Sequence, residues 1–251
     1  MTRRPLVAVS LKAYLGAAET ERWLARVRDA APGEDVELAV LPAFPLLPAA
    51  ARLLTGTSVA WGAQDVAPGA HGAQTGEVTA ALLAELGCTL AVVGHAERRS
   101  AFGEDDAVVR AKVARLAEAG VTPLLCVGER EQVSAHQAAL AATAQLESAL
   151  RGSGASSVVV GYEPVWAIGA PRPAGAEHVV TVARALRGWL DARGIDGRVL
   201  YGGAAGPGTL TALAGGVDGV FLGRFAHDVD TLREVLDEAA PARPPGAAAG
   251  P

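Results

Sequence analysis

Lys12, His95 and Glu163 each stand just past a short apolar run, in Ser10-Leu11-Lys12, Gly94-His95-Ala96-Glu97-Arg98-Arg99 and Tyr162-Glu163-Pro164-Val165-Trp166-Ala167-Ile168-Gly169. Two glycine-rich segments follow later runs, Gly202-Gly203-Ala204-Ala205-Gly206 and Gly223-Arg224. A carboxylate and an imidazole can move protons. A lysine and exposed glycine amides can hold an anion. Each also has a plainer reading. Glu163 could be a solvated loop charge or helix cap, His95 a satisfied structural residue, Lys12 a surface lysine, and the glycines mere turns. His95-x-Glu97 has no evident third or fourth ligand, so no metal is expected. Only convergence in space makes a site of these residues, and convergence depends on the elements beneath them.

Eight short apolar runs read as strands: Pro5–Leu11, Val36–Leu41, Ser58–Gly62, Thr89–Val93, Val121–Val127, Ser157–Tyr162, Arg198–Tyr201 and Val217–Leu222. Most lack polar alternation, the signature of parallel strands buried on both faces. Amphipathic stretches lie between them. Trp23, Leu24 and Val27 mark the first. Val108, Val109, Val113 and Leu116 precede a stop at Gly120, and Val179, Val182, Leu186 and Leu190 precede Gly194. Thr79 can cap a helix through Leu86 that ends at Gly87. Eight β-then-α units predict an α/β fold, a single (β/α)8 barrel over residues 1–239. An open doubly wound sheet is the rival, but no G-x-G-x-x-G follows the first strand. In a barrel the site lies where the strands end in their following loops, which is where Lys12, His95 and Glu163 stand.

Half of the 251 residues are apolar and the net charge is −5, with no run of Lys or Arg to track nucleic acid or an anionic membrane. An anionic ligand would therefore need positive potential concentrated locally. Cys88 and Cys126 lie in apolar surroundings, which fits a reducing compartment without disulfides. The stretch Met1 to Val9 is too briefly apolar for a signal peptide, so a cytoplasmic location is expected. The Ala/Pro/Gly segment 240–251 is expected to be disordered.

Ala91–Arg99 (A-V-V-G-H-A-E-R-R) and Gly161–Gly169 (G-Y-E-P-V-W-A-I-G) resemble the two signature loops of the triose-phosphate isomerase family. Gly62–Asp65, Gly72–Glu77, Cys126–Glu129, Tyr201–Gly203 and Val217–Gly219 support the resemblance in order and spacing, over roughly residues 5 to 239. It implies a cofactor-free isomerase of a small phosphorylated sugar. Glu163 would be the base, His95 a neutral electrophile that steadies an enediolate, and Lys12 a cation held by Glu97. This family is itself the standard case of such a Glu–His pairing. Ser10, Gly169, Gly202, Gly203, Ala204, Gly223 and Arg224 would bind substrate and phosphate. Gln74, Thr75 and Gly76 would reach into a second subunit of a homodimer, with Arg98 and Arg99 in structural ion pairs near that interface.

The chain departs from the family pattern at several of these places. Ser10 and Leu11 replace Asn and Trp, and Ala96 replaces the Ser after His95. The lid tip is Ala170-Pro171-Arg172 followed by Pro173, with two prolines that fix φ and remove donors. Ala204 replaces a Ser, Ala205-Gly206 replaces Val-Asn, and Arg224 replaces a Gly. Arg224 resembles the pattern of tetrulose-phosphate isomerases, which gives a four-carbon substrate as the alternative to a triose phosphate. A non-catalytic paralogue that binds a phosphorylated metabolite is the alternative of another class.

Overall fold

The computed structural model describes residues 3–170 and 173–240. Eight parallel strands run in order around a closed barrel. They are β1 (Leu6–Ser10), β2 (Glu37–Leu41), β3 (Val59–Ala63), β4 (Leu90–Val93), β5 (Thr122–Val127), β6 (Ser157–Tyr162), β7 (Asp196–Tyr201) and β8 (Gly219–Leu222). The helices are α1 (Ala17–Asp29), α2 (Leu47–Leu54), α3 (Ala80–Glu85), α4 (Ala96–Phe102), α5 (Asp106–Ala119), α6 (Ala135–Leu150), α7 (Ala176–Asp191), α8 (Thr209–Leu213) and α9 (Val229–Ala239). Every expected strand is present, with ends shifted by at most two residues. Two starts move by two residues: β8 begins late, at Gly219, and β7 begins early, at Asp196, because Asp196 and Gly197 pair with Ser157 and Val158. A charge and a glycine at the barrel rim hide that extension from a search for apolar runs. Residues 241–251, Pro171 and Arg172 fall outside the described residues, and with them most of the tail and part of the lid tip.

Side chains alternate across each strand, so the apolar residues divide between two cores. Leu6, Ala8, Ala39, Leu41, Leu90, Val92, Leu124, Cys126, Val159, Leu200 and Phe221 fill the barrel interior. Their neighbours Val7, Val9, Val40, Val93, Val160 and Val199 face the helices. Burial on both sides explains why the strands show no polar alternation. The helices begin and end as their sequences dictate. The Thr79 hydroxyl accepts the Leu82 amide at the start of α3, the Asp105 carboxylate accepts the Val108 amide at the start of α5, and Gly120 ends α5 in the left-handed region. Such caps contribute about 1 kcal/mol each. Cys88 and Cys126 are buried and unbridged.

At the end of the barrel opposite the Lys12, His95 and Glu163 loops, Arg198 makes two hydrogen bonds to Glu37, at 2.7 and 3.0 Å, and Arg4 approaches Glu37 at 3.2 Å. Burial alone would raise the Glu37 pKa. The Arg198 hydrogen bond and charge outweigh it, with help from Arg4 and Arg3, and hold it below its ordinary value of 4.5. A depressed carboxylate stabilises the fold above its unfolded pKa and loses that contribution as pH falls through the folded value. Arg198→Leu should therefore move the midpoint of acid unfolding to higher pH. Circular dichroism along an acid titration measures it, and an unchanged midpoint would contradict the assignment.

Candidate active site

The inward positions of the strands, continued one or two residues past their ends, deliver the reactive groups to one mouth. Leu6, Ala8 and Ser10 lead to Lys12, Val159 and Gly161 lead to Glu163, Leu200 leads to Gly202, and Phe221 leads to Gly223. His95 is the exception, since Leu90 and Val92 put Gly94 on the inward side. Gly94 has φ +73°, a left-handed turn open to glycine at little cost, which breaks the alternation before His95. A cavity of about 350 Å³ results. Ser10, Lys12, His95, Glu97, Glu163, Gly169, Gly202, Ala204, Gly223 and Arg224 all lie in its wall. A second cavity, of about 480 Å³, lies along Arg99, Arg130 and Gln145 and shares Glu163. It contains neither Lys12 nor His95, so the smaller one alone brings the three candidate residues together.

Lys12 adopts φ +49°, an uncommon conformation for a residue with a side chain. Its surroundings impose it. The Ser10 hydroxyl oxygen accepts the Lys12 amide at 3.3 Å, and Gln64 Nε2 donates to the carbonyls of Lys12 and Leu41 at 3.0 and 2.9 Å. Ser10 thus supports the Lys12 turn. Lys12 Nζ donates to Glu97 Oε1 at 2.5 Å, which fixes the ammonium at the cavity wall. Backbone strain that neighbours hold in place is common at functional sites.

His95 caps α4, with its Nδ1 accepting the Glu97 amide at 3.1 Å. A nitrogen that accepts carries no proton, so the hydrogen-bond pattern puts the ring proton on Nε2. Nε2 stands 3.6 Å from Glu163 Oε2. That exceeds a hydrogen bond, so the imidazole and the carboxylate face one another unpaired.

Glu163 is only 5% exposed, and its Oε2 has no hydrogen-bond partner. Buried carboxylates normally collect donors. The Cys126 thiol lies against this carboxylate, and burial, then the Glu163 charge, push that thiol well above the usual range. Gly202 forms the opposite wall. A Cβ there would stand 2.8 Å from Glu163 Cγ and 2.9 Å from Oε1.

Across the mouth, the amides of Gly169 and Ala204 donate to no protein group among the described residues, and Ala204 has φ +52°. Free amides converging on one cavity are the usual form of an anion site. Gly203 stands off the wall. A Cβ on it would meet the Tyr201 hydroxyl at 2.9 Å and Pro164 at 3.0 Å, so packing of the turn uses this glycine. Arg224 is exposed beside Gly223 and makes no ion pair among the described residues. Nearby, the His227 ring meets Tyr14 in a tilted contact, with centroids 5.2 Å apart. Burial, then the charges of Arg224 and Lys12, lower the His227 pKa and so favour its neutral form.

Arg98 and Arg99 make ion pairs as expected. Arg98 joins Asp65 at 2.8 Å and Glu104 at 2.6 Å, and buried Lys112 joins the same two carboxylates at 2.6 Å each. Arg99 binds Asp106 and donates Nε–H to the Gly94 carbonyl, steadying the turn before His95. Gln74 folds back on the Ala70 carbonyl, while Thr75 and Gly76 are exposed at the tip of their loop. In the sequence, Gln64 and Cys126 stand within supporting segments with no assigned role, and His227 does not stand out. Each acts through a partner far along the chain, and no local spacing announces it.

A closed parallel barrel with a lysine, a histidine and a buried glutamate at one mouth has the layout of a barrel enzyme. The family model for triosephosphate isomerase matches residues 5–239. L-erythrulose-1-phosphate isomerase of Pectobacterium atrosepticum is 40% identical over 250 residues, covering 95% of this chain and 96% of that protein. Triosephosphate isomerase of Thermus thermophilus is 40% identical over 245 residues, covering 93% and 98%. That of Deinococcus radiodurans is 40% identical over 241 residues, covering 92% and 98%. The chain belongs to the triosephosphate isomerase family and is a sugar-phosphate isomerase. The purely binding alternative falls with that assignment.

Because Gly202 meets only the flexible part of Glu163, Gly202→Ala should leave the fold intact and push the carboxylate aside. A displacement of about 1 Å in a reacting group can cost about 10²-fold in kcat. Thermal melting and steady-state kinetics check this together, and unchanged kcat would show that the carboxylate position is unimportant.

Proposed function

We propose that the chain interconverts D-glyceraldehyde 3-phosphate and dihydroxyacetone phosphate through an enediolate. The observation that carries this reading is the unpaired Glu163 carboxylate facing His95 Nε2 at 3.6 Å across a cavity that also holds the Lys12 ammonium. Glu163 takes a proton from the carbon beside the carbonyl and returns it to the neighbouring carbon. His95 donates its Nε2–H to the oxygen where charge develops, and Lys12 adds fixed positive charge. The amides of Gly169 and Ala204, with Gly223, receive the phosphate. Acid–base groups and a phosphate handle suffice for this reaction, so the proposal includes no cofactor.

A second reading, a four-carbon ketose phosphate, is favoured by Arg224. An unpaired guanidinium on the cavity wall adds charge and two-pronged donors where a longer substrate would end. The name of the Pectobacterium relative points the same way. The proposal also includes a homodimer, supported by the exposed Thr75–Gly76 tip, and a cytoplasmic location. No helix among the described residues is long and apolar enough to cross a membrane.

Triose and tetrulose phosphates offered in turn should show turnover with a triose preference, and Glu163→Gln should lower kcat by about 10²–10⁴-fold. Solvent deuterium should enter the product with the native chain alone. No turnover of either triose phosphate would reject the first reading. Under the second reading, Arg224→Gly should lower kcat/KM for the tetrulose phosphate more than for the triose phosphate, and an equal effect on both would reject that role.

A further inference from the structure

Glu129, two residues past the end of β5, is a second buried carboxylate, 5% exposed. Unlike Glu163 it is crowded with donors. The Tyr162 hydroxyl stands 3.0 and 3.2 Å from its two oxygens, and Trp166 Nε1–H donates to Oε1 at 2.9 Å. His178 Nε2 lies 3.1 Å from the same Oε1 and 3.0 Å from the Tyr162 hydroxyl oxygen. A carboxylate only accepts, and a tyrosine has one proton to give. With that proton directed at Glu129, His178 Nε2 must carry its own, because a bare nitrogen would face two acceptors. The His178 ring also meets Tyr162 and Trp166, with centroids 6.5 and 6.1 Å away.

These contacts join two places separated by the Glu163 loop. Trp166 sits just after Glu163, on the stretch leading to Ile168, Gly169 and Ala170 in the cavity wall. His178 is the third residue of α7, just after the loop ends. The Val165 amide donates to the Glu129 carbonyl at 2.9 Å, and the Ala174 amide donates to the Tyr201 hydroxyl at 3.0 Å. Both ends of the loop are therefore pinned, and one carboxylate connects the first end to the helix that starts at the second.

We propose that His178 is a positioning residue for the isomerisation: its Nε2–H, given to Glu129 and Tyr162, holds the Trp166 indole and so sets the segment from Glu163 to Ala170. The effect on turnover rests on the isomerase reading above, whereas the effect on Trp166 does not. His178→Leu removes the donor and keeps similar bulk, while His178→Gln keeps a donor. Emission from Trp166, taken as the difference from Trp166→Phe, and kcat and KM are measured in each. His178→Leu should shift the Trp166 emission and lower kcat about ten-fold, the size expected for one lost hydrogen bond to a charged group, with KM nearly unchanged. His178→Gln should restore both. Unchanged emission in the Leu variant, or a Gln variant no better than Leu, would overturn the proposal. His178→Met replaces the Leu variant if that fails to fold, and failure of both apolar variants would assign His178 to folding alone. If no sugar phosphate turns over in the native chain, the isomerase reading fails and the emission shift alone decides this one.

Discussion

Gly219 lets β8 lie so close to β1 that a side chain there would stand 1.9 Å from the Leu6 carbonyl oxygen. Leu6 pairs with Gly219 and Ala8 with Phe221 across this junction, and the sheet closes. With closure, no edge is left unpaired and every strand has a defined inside. The two-residue period of each strand then sets which residue past its end faces the mouth. Lys12, Glu163, Gly202 and Gly223 all follow from that rule, and the left-handed Gly94 supplies the one departure from it. Without closure these residues would lie along an open sheet, too far apart to share one small molecule.

Charge burial follows a second rule, and Glu163 departs from it furthest among the described residues, since Glu104, whose Oε2 also lacks a donor, has Lys112 and Arg98 on its Oε1. Lys112 and Arg98 neutralise Asp65 and Glu104 in a compact set at the barrel side. Glu129 is satisfied by Tyr162, Trp166 and His178. A buried charge left alone is expensive, so such compensation is the norm. Glu163 is as deeply buried as Glu129, yet one of its oxygens has no donor. Folding tolerates this cost because the rest of the molecule is consistent, a pattern typical of functional sites.

The fold was legible from the sequence because burial on both faces leaves strands such as Val158–Val160 and Leu124–Cys126 without polar residues. Legibility failed where structure depends on partners rather than on local pattern. Asp196 and Gly197 extend β7 only because β6 is beside them. The convergence of Lys12, His95 and Glu163 on one cavity was legible from their places after strands. Its supports were not: Gln64 reaches Lys12 across 52 residues, and His178 reaches Glu129 across 49. Gly203 shows the opposite limit. Its neighbours in sequence line the cavity, while Gly203 itself packs against Tyr201 and Pro164.

Cys126 gives the barrel interior a built-in probe. Its thiol is buried beneath Glu163, and both the burial and that negative charge disfavour the thiolate, the reactive form toward alkylating and oxidising agents. Cys88, also buried, is pushed up to about 11. Neither sulfur can be modified quickly while the barrel is intact. The labelling rate at Cys126 therefore follows local opening around Glu163 and the cavity along Arg99 and Gln145, in a chain whose two cysteines are both unbridged.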